Sequence, residues 1–351
     1  MITITDIAKR AGVAPSTVSR VLSGNGYAGK NTRDLVLQAA DDLAYTPNRV
    51  AQSLRLNQTK TLGLVIADVE NSFYSRIAKT VEMVAKRAGF HVILCNSNDE
   101  PEEEKECLEL LVRLRVDGIL ITPTGKNADY LQSLLSRHVK IVLLDRKVPK
   151  LRFDSVIVNN QKGAQDAVEH LILCGHCRIG LLAGEIHVTT GQQRLKGYRN
   201  ALAKHGIPFD PSLVRESNFL HETAIDAARS LFAAKKIPTA VFAANNVLAE
   251  SCLFVLRELG LSETVSVIVF DDAPWMRLIE RPLTVVAQPV EELAKTAAEL
   301  ILQRVQNPTL SRVKSLVLQP TLIRRESCQP INRTKTKGHN DAGTARERLS
   351  N

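Results

Sequence analysis

Residues 4–24 of the chain read ITDIAKRAGVAPSTVSRVLSG, a stretch that predicts two short helices joined by a tight turn. Thr3 and Asp6 have the spacing of a capping box, in which each side chain binds the backbone amide of the other residue at a helix start. Gly12 lies in the turn that follows. Pro15 fits the first turn of the second helix, because the amide that proline lacks needs no partner there. The order helix, turn, helix is the pattern of a small DNA-binding motif.

The second helix divides into an apolar face and a polar face. Val18, Val21 and Leu22 recur at helical spacing, so they are expected to face a core that a third helix over residues 32–43 completes. The opposite face carries hydroxyl groups and one guanidinium, on Ser16, Thr17, Ser19 and Arg20. Such a helix fits a major groove, where hydroxyls bind phosphates and an arginine binds guanine O6 and N7. A purely structural helical pair is the alternative.

The positive charge of the chain is concentrated near its two ends. The 351 residues carry a formal net charge of +9, of which residues 1–60 contribute +4 and residues 332–351 contribute +3. A basic segment on a nearly balanced body is typical of a module that binds a polyanion. The final stretch, residues 329–351, is polar and lacks hydrophobic periodicity, so we expect it to be disordered.

Other features argue against a secreted, membrane or metal-dependent protein. No apolar run approaches the ~20 residues that span a bilayer, and the start lacks the regions of a signal peptide, so a cytoplasmic location is predicted. Six cysteines in such a chain suggest free thiols. Cys174 and Cys177 form a C-x-x-C motif, but it follows a predicted helix, whose C-terminal dipole opposes a thiolate. No second Cys or His pair stands at zinc spacing to complete a site with this motif, so neither metal nor cofactor is predicted.

Beyond residue 60, apolar strands alternate with amphipathic helices. Strand-like runs lie at residues 62–67, 91–95, 118–122, 141–144, 155–158, 179–183, 240–244, 266–270 and 283–287. Helical stretches lie at residues 75–88, 102–115, 161–173, 194–205, 222–234, 247–259 and 290–305. This alternation predicts parallel sheets covered by helices. The predicted fold class is therefore a small all-α headpiece followed by an α/β domain of two Rossmann-like lobes.

The opening block closely resembles the start of the LacI/GalR family of bacterial repressors. The likeness continues through YTPN at residues 45–48, NRVAQSLR at residues 48–55 and TLGLV at residues 61–65, and it covers residues 2–327. The resemblance implies a sequence-specific transcriptional regulator, expected to be a repressor, that binds double-stranded DNA at a pseudo-palindromic operator. It also implies a sensor like the periplasmic sugar-binding proteins, controlled by a sugar or sugar acid.

The resemblance also implies a domain organisation. The headpiece spans residues 1–46, and a hinge helix with its linker spans residues 47–60. The effector-binding domain spans residues 61–328. Its N-lobe takes residues 61–159 and 289–318, its C-lobe takes residues 160–288 and 319–328, and the tail spans residues 329–351.

The family's DNA contacts fall on both the headpiece and the hinge. In the headpiece the implied DNA-binding residues are Thr3, Pro15, Ser16, Thr17, Ser19, Arg20 and Ser23. In the hinge they are Asn48, Arg49, Ala51 and Leu54, with Leu54 matching a leucine that wedges into the minor groove. Eight residues cannot hold a helix alone in water, so the hinge needs a partner hinge and DNA. We therefore expect a homodimer, and the absence of leucine heptads in the tail argues against a tetramer.

The family's effector contacts fall on Asn71, Phe73, Tyr74, Asp145, Arg146, Arg194, Asn245, Asp271, Trp275 and Gln288. These residues stand at predicted strand ends or in the turns beyond them, where doubly wound sheets bind ligands. Asn71 would bind a hydroxyl, and Phe73 and Tyr74 would stack on a sugar. Two arginines favour a sugar acid over a neutral sugar. The alternatives are local: Asp145 and Asp271 could cap an element, Arg146 could pair locally, and Trp275 could pack in the core.

The chain departs from the family at several positions. Ala14 and Gly29 stand where serine caps are usual, and the second helix loses about 1 kcal/mol through Ala14. Ser72 replaces a proline, Asn246 an aspartate and Val269 a glycine, which leaves the exact effector open.

The sequence disfavours two other classes of protein. An enzyme of the doubly wound α/β class is disfavoured, because the sequence has no Gly-Lys-Ser/Thr phosphate loop, no G-x-G-x-x-G opening a helix and no nucleophile elbow. A cytosolic carbohydrate-binding protein without a regulatory role is disfavoured by the headpiece.

Overall fold

A computed structural model of the protein describes residues 2–23, 27–45, 58–218, 221–310 and 312–331. The chain divides into two units, Met1–Thr59 and Lys60–Asn351. The hinge positions Asn48, Arg49, Ala51 and Leu54 lie outside the described residues, and so do residues 332–351 of the expected disordered tail. Within the described ranges, no helix is long and apolar enough to cross a membrane.

The first unit contains three helices among its described residues. They are α1 (Ile4–Ala11), α2 (Pro15–Ser23) and α3 (Lys30–Asp42). Ile7, Val18 and Val36, one from each helix, are fully buried and form the centre of its core. The apolar spacing of the sequence therefore builds the predicted three-helix core.

The predicted capping box and glycine turn set the ends of α1. The Asp6 carboxylate accepts a hydrogen bond of 2.9 Å from the Thr3 amide, and the Thr3 hydroxyl accepts one of 3.4 Å from the Asp6 amide. Gly12 ends the helix with a φ of +66°, a left-handed conformation that costs glycine little. These two features separate α1 from α2 and fix the turn between them.

The second unit alternates strands and helices along the chain. In chain order its described elements are β1 (Thr61–Ile66), α4 (Ser72–Arg87), β2 (His91–Asn96), α5 (Pro101–Arg113), β3 (Gly118–Ile121), α6 (Ala128–Ser136), β4 (Ile141–Leu144), β5 (Asp154–Val158), α7 (Asn160–Leu173), β6 (Ile179–Ala183), α8 (Thr189–Lys204), β7 (Val214–Glu216), α9 (His221–Phe232), β8 (Ala240–Ala243), α10 (Asn246–Glu258), β9 (Ser266–Phe270), β10 (Thr284–Ala287), α11 (Val290–Gln306), β11 (Ser315–Leu318) and β12 (Thr321–Ile323).

Among the described residues the strands form two sheets, one in each lobe. The N-lobe sheet has the order β11-β5-β4-β3-β1-β2, and every pair in it is parallel. The C-lobe sheet has the order β12-β10-β9-β8-β6-β7, in which only β12 runs antiparallel to its neighbour. The predicted fold class, a helical headpiece followed by two Rossmann-like lobes, is confirmed.

The chain passes between the lobes three times. It crosses after β5, after β10 and between β11 and β12, so each lobe is assembled from segments that are distant in sequence. The Asn159 amide donates a hydrogen bond of 3.2 Å to the Gln319 side chain and so joins the first crossover to the third. Polar residues at the carboxyl ends of the central strands therefore face one another across a cleft.

Several element boundaries differ from the sequence prediction. β7, β11 and β12 are three or four residues long and lack a fully buried apolar run, and these strands and α6 were not predicted. α8 begins at Thr189, whereas the sequence predicted a start at residue 194. Gly191 and Gly197 have low helix propensity, so the sequence carried no sign of the earlier start. These glycines are needed for packing: a Cβ at Gly191 would lie 2.1 Å from the Glu185 carbonyl oxygen, and one at Gly197 would lie 2.3 Å from that of Gln161.

Candidate functional site

Helix α2 presents the predicted polar face. Ser16 and Arg20 are exposed and Thr17 and Ser19 are half-buried, whereas Val18 is fully buried. Pro15 opens the helix, Ser23 closes it, and the exposed Thr3 precedes α1. The described residues of the headpiece thus include one short helix with hydroxyls and a guanidinium on its outer side, which is the geometry of a groove-binding helix.

Two helix starts in the headpiece lack a side-chain cap. The amides of Thr17 and Val18 both bind the Ala14 carbonyl, at 2.9 and 3.2 Å, but alanine has no oxygen to cap the free amides of α2. Gly29 stands before α3 and makes no side-chain cap either. Both positions therefore offer room for a stabilising serine.

A cavity of about 660 Å³ opens between the two lobes of the second unit. Its lining includes all ten predicted effector residues: Asn71, Phe73, Tyr74, Asp145, Arg146, Arg194, Asn245, Asp271, Trp275 and Gln288. These ten positions therefore lie around one cavity, as expected for residues at strand ends. Their role in binding remains a prediction. Volume and mixed lining are those of a small-molecule site.

Two of the aromatic residues that line the cavity, Phe73 and Tyr74, also pack in the protein core. The rings of Phe73 and Tyr74 lie edge to face with centroids 5.0 Å apart, and both side chains are buried in the N-lobe core. Burial holds the pKa of Tyr74 well above its usual range, so its hydroxyl remains a donor. Trp275 is half-buried against the C-lobe core and also lines the cavity. The lining therefore combines apolar ring surface with polar groups, as sugar sites do.

Two asparagines bridge the lobes at the cavity. Asn71 at the start of α4 and Asn246 at the start of α10 exchange amide hydrogen bonds of 3.1 and 3.3 Å. The Asn71 oxygen also accepts the Phe73 amide at 3.0 Å and so caps α4. In this structure protein groups therefore occupy the Asn71 amide that the sequence assigned to a ligand hydroxyl. Asn245 has a similar task, because its oxygen caps α10 by accepting the Leu248 amide at 2.8 Å.

Arg146 forms a buried ion pair with Asp99. Its Nη1 and Nη2 donate to the two Asp99 oxygens at 2.6 and 2.9 Å, and only 3% of the arginine side chain is exposed. Burial lowers the pKa of Arg146, but the neighbouring Tyr74, Asp99 and Asp145 outweigh it and hold that pKa above its usual range. The local pairing considered as the alternative for Arg146 is the one observed.

Arg194 is also held by protein groups. Its Nε donates to the Asn160 side chain at 2.8 Å, its Nη1 donates to the Ala244 carbonyl at 2.5 Å, and its guanidinium lies 3.8 Å from the centroid of the Phe270 ring. Burial lowers the pKa of Arg194, but the group stays charged in any ordinary buffer. Arg194 therefore braces the C-lobe wall, besides lining the cavity.

Two carboxylates at strand ends face the cavity with few partners. Asp145 follows β4 and Asp271 follows β9, with left-handed φ values of 66° and 90°. Asp271 accepts a 2.6 Å hydrogen bond from the Gln288 amide, whereas Asp145 Oδ1 and Gln288 Oε1 are buried and have no hydrogen-bond partner among the described residues. Burial raises the pKa of Asp145 to about 6 and also raises that of Asp271. A ligand that donates hydrogen bonds would satisfy these acceptors.

The sequence prediction missed most of the acidic lining. The further polar residues of the cavity are Asp68, Glu70, Ser72, Asn96, Asn98, Asp99, Glu100, Glu185, Thr190, Asn218, Asn246 and Glu250. Asn98 and Asp99 follow β2 directly, so the strand-end rule could have found them. With these residues, eight carboxyl groups and two guanidiniums line the cavity.

Comparison with known proteins places the chain in a family. Residues 3–48 match the model of bacterial regulatory proteins of the lacI family, and residues 168–328 match that of a periplasmic binding protein-like domain. The HTH-type transcriptional repressor PurR of Vibrio campbellii is 33% identical over 336 residues, covering 95% of this chain and all of that protein. The chain belongs to the LacI family. It is therefore a DNA-binding transcriptional regulator, as the headpiece predicted.

Solved structures agree with this assignment. The lac repressor dimer bound to operator and the anti-inducer ONPF is 27% identical with a TM-score of 0.83, covering 93% of this chain and 99% of that one. The complex of the transcriptional regulator CelR with cellobiose is 32% identical with a TM-score of 0.71, covering 93% of this chain and all of that one. These LacI-family relatives are regulators, so the enzyme and the purely carbohydrate-binding alternatives are set aside.

Proposed function

We propose that this LacI-family regulator is a homodimeric repressor whose affinity for its operator is controlled by a sugar that carries no negative charge. The observation that carries the proposal is the charge of the interlobe cavity. Eight carboxyl groups line it, and both of its guanidiniums are engaged by protein groups.

Hydrogen-bond demand supports a sugar. Asp145 Oδ1 and Gln288 Oε1 are buried acceptors without partners among the described residues, and a buried acceptor left unpaired costs about 1–3 kcal/mol. Sugar hydroxyls donate to such acceptors, while the half-buried Trp275 offers an apolar face. The solved CelR–cellobiose complex, in a relative of the same fold, agrees with a carbohydrate effector.

Charge argues against the sugar acid that the two arginines suggested in the sequence. Asp99 takes both terminal nitrogens of Arg146, and Asn160 and the Ala244 carbonyl take donors of Arg194. An anionic ligand would meet the remaining carboxylates without a compensating cation. The preference for a sugar acid is therefore withdrawn in favour of a ligand without negative charge.

The headpiece supplies the output of this sensor. Arg20 on α2 would bind a guanine, and two headpieces of a dimer would read the two halves of a pseudo-palindrome. Linkage requires that a ligand which changes operator affinity also has its own affinity changed by the operator, by the same factor. The coupling can therefore be measured either as the effect of the sugar on operator affinity or as the effect of the operator on sugar affinity.

A thermal-shift panel tests the ligand class. The panel would contain neutral sugars including cellobiose and ribose, amino sugars, the matching aldonic acids, and purine bases. We expect saturable stabilisation by a neutral or amino sugar, and loss of that stabilisation in Asp271→Asn, whose amide keeps the shape but not the charge. Stabilisation by an aldonic acid or a purine, without any by a sugar, would contradict the proposal.

A further inference from the structure

We propose that the sugar bound in the interlobe cavity carries a protonated amino group, which the carboxylates of Asp145 and Asp271 bind. This inference rests on the proposed function and names the ligand class more closely. It follows from the charge balance of the cavity lining, from a carboxylate oxygen without a partner, and from the sign of the cavity rim.

The charges around Arg146 and Arg194 do not balance. Asp145 and Asp271 are buried with these two arginines, and the partly exposed Asp99 adds a third carboxylate, which leaves one negative charge in excess among the five groups. Both terminal nitrogens of Arg146 donate hydrogen bonds to Asp99. The Arg146 Nε lies 4.0 Å from Asp145 Oδ2. Asp145 therefore has a cation nearby but no short ion pair with it. A buried carboxylate in this position is costly unless a further cation joins it.

The hydrogen-bond donors that Asp271 has among the described residues are neutral. The hydrogen bonds it accepts come from the Gln288 amide and the Asn246 backbone amide. Arg194 lies close enough to favour the ionised Asp271, but the hydrogen bonds recorded for Arg194 lead to Asn160 and Ala244. Burial raises the pKa of Asp145, and the nearby Asp271 carboxylate raises it further, because like charges repel in a poorly solvated space. A single cation between them would relieve this repulsion.

A second observation points to a ligand at the same place. Asp145 lines the cavity and only 5% of its surface is exposed. Its Oδ1 has no hydrogen-bond partner among the described residues. A hydroxyl would satisfy this oxygen but leave the excess charge. An ammonium group does both, since it brings three donors and one positive charge.

The rim of the cavity has the same sign. Asp68, Glu70, Glu185 and Glu250 also line the opening, and no lysine does so among the described residues. A cleft of one sign with poorly polarisable walls concentrates ligands of the opposite sign. The rim and the buried pair therefore both favour a monocation.

Matched sugars test the inference by isothermal titration. Each set contains a neutral hexose, its 2-amino-2-deoxy form and the N-acetylated amine, in the gluco, galacto and manno series. We expect one amino sugar to bind at least about tenfold more tightly than its hexose and its N-acetyl form, because a desolvated charge pair is worth more than a neutral hydrogen bond. Asp145→Asn should reduce this ratio to within about threefold. Asp166→Asn, which removes a partly exposed carboxylate outside the cavity lining, should leave it unchanged.

The outcomes separate the two proposals. If a hexose or N-acetyl sugar binds as tightly as its amine, the proposed function stands and the inference of an amino group is overturned. If an aldonic acid or a purine binds and no sugar does, both are overturned. Binding by none of these sugars also counts against both. An amine preference that survives Asp145→Asn and Asp271→Asn in folded protein would overturn the assignment of these carboxylates.

Discussion

The Asp99 carboxylate holds the Arg146 guanidinium through two hydrogen bonds, of 2.6 Å to Nη1 and 2.9 Å to Nη2. The two residues are 47 positions apart and come from the ends of different strands. Arg146 is almost fully buried, so water screens the pair little. This pair decides how the cavity presents charge, because it removes one guanidinium from those available to a ligand.

Asp99→Asn should destabilise the second unit. The substitution removes the carboxylate that holds both terminal nitrogens of a buried guanidinium, and breaking such a pair costs roughly 3 kcal/mol. Urea denaturation gives the free energy of unfolding. Asp166→Asn is the control, because the exposed Lys162–Asp166 pair contributes about 0.5 kcal/mol or less. Equal losses in the two variants would show that the Asp99–Arg146 pair behaves as a surface pair.

Asp145→Asn should stabilise the ligand-free protein in a pH-dependent way. Burial raises the pKa of Asp145 from its ordinary 3.8 to about 6, so folding opposes ionisation of this group. The ionised carboxylate therefore costs stability above about pH 6, by up to about 3 kcal/mol, and that cost disappears towards pH 4. Asparagine accepts the left-handed backbone and carries no charge.

The measurement is a series of urea titrations of both proteins between about pH 4 and pH 8. The stability difference in favour of Asp145→Asn should grow as the pH rises from about 4 to about 6 and level off above that. Taking the difference cancels the other titrating groups of the chain. A variant that is less stable than the wild type at pH 8, or a difference independent of pH, would contradict the assignment.

The headpiece should become more stable with Gly29→Ser. Gly29 has a φ of −57° and open space where a Cβ would lie, and α3 lacks a side-chain cap. A serine there should add about 1 kcal/mol by capping α3 and by restricting the unfolded chain. Gly12→Ser is the contrasting variant, since a φ of +66° strains any residue with a Cβ, and it should lose about 1 kcal/mol.

Hydrogen exchange in the full-length chain reports on this unit alone, through the slowest amides of the three headpiece helices. Protection that falls in Gly29→Ser would show that the serine does not cap α3. Protection that is kept in Gly12→Ser would remove the conformational argument for the turn.

Arg20→Ala should weaken operator binding by about 1–3 kcal/mol and relax the preference at one base position in each half-site. Arg33→Ala removes the same charge from an exposed position on α3 and should weaken binding to all sequences alike. Competition among operators with single base changes distinguishes the two results. A loss in Arg20→Ala that is uniform over all bases would make Arg20 a phosphate contact.

The sequence was sufficient to predict the layers of the fold and the location of the cavity. Buried parallel strands need nearly continuous apolar runs, and polar residues that follow them meet at one sheet edge. β11 and β12 escaped prediction because short, exposed edge strands carry no such run.

Hydrogen-bond partners could not be predicted in the same way. Asn71 and Asn246 are 175 positions apart, and they meet because the strand order of each sheet departs from the order of the chain. Arg146 and Asp99, which are 47 positions apart, form their ion pair for the same reason. The two arginines consequently suggested an anionic ligand in the sequence, and their partners argue against one in the structure.

The most direct test of the account is a titration of labelled operator with and without the sugar that stabilises the wild-type protein. We expect this sugar to change the operator Kd of the wild type by about fivefold or more. Asp271→Asn should keep the sugar-free Kd and lose the change, because a ligand shifts an equilibrium only through its different affinities for the two states. A change of equal size in folded Asp271→Asn, at the same sugar concentration, would contradict control of the operator through the interlobe cavity.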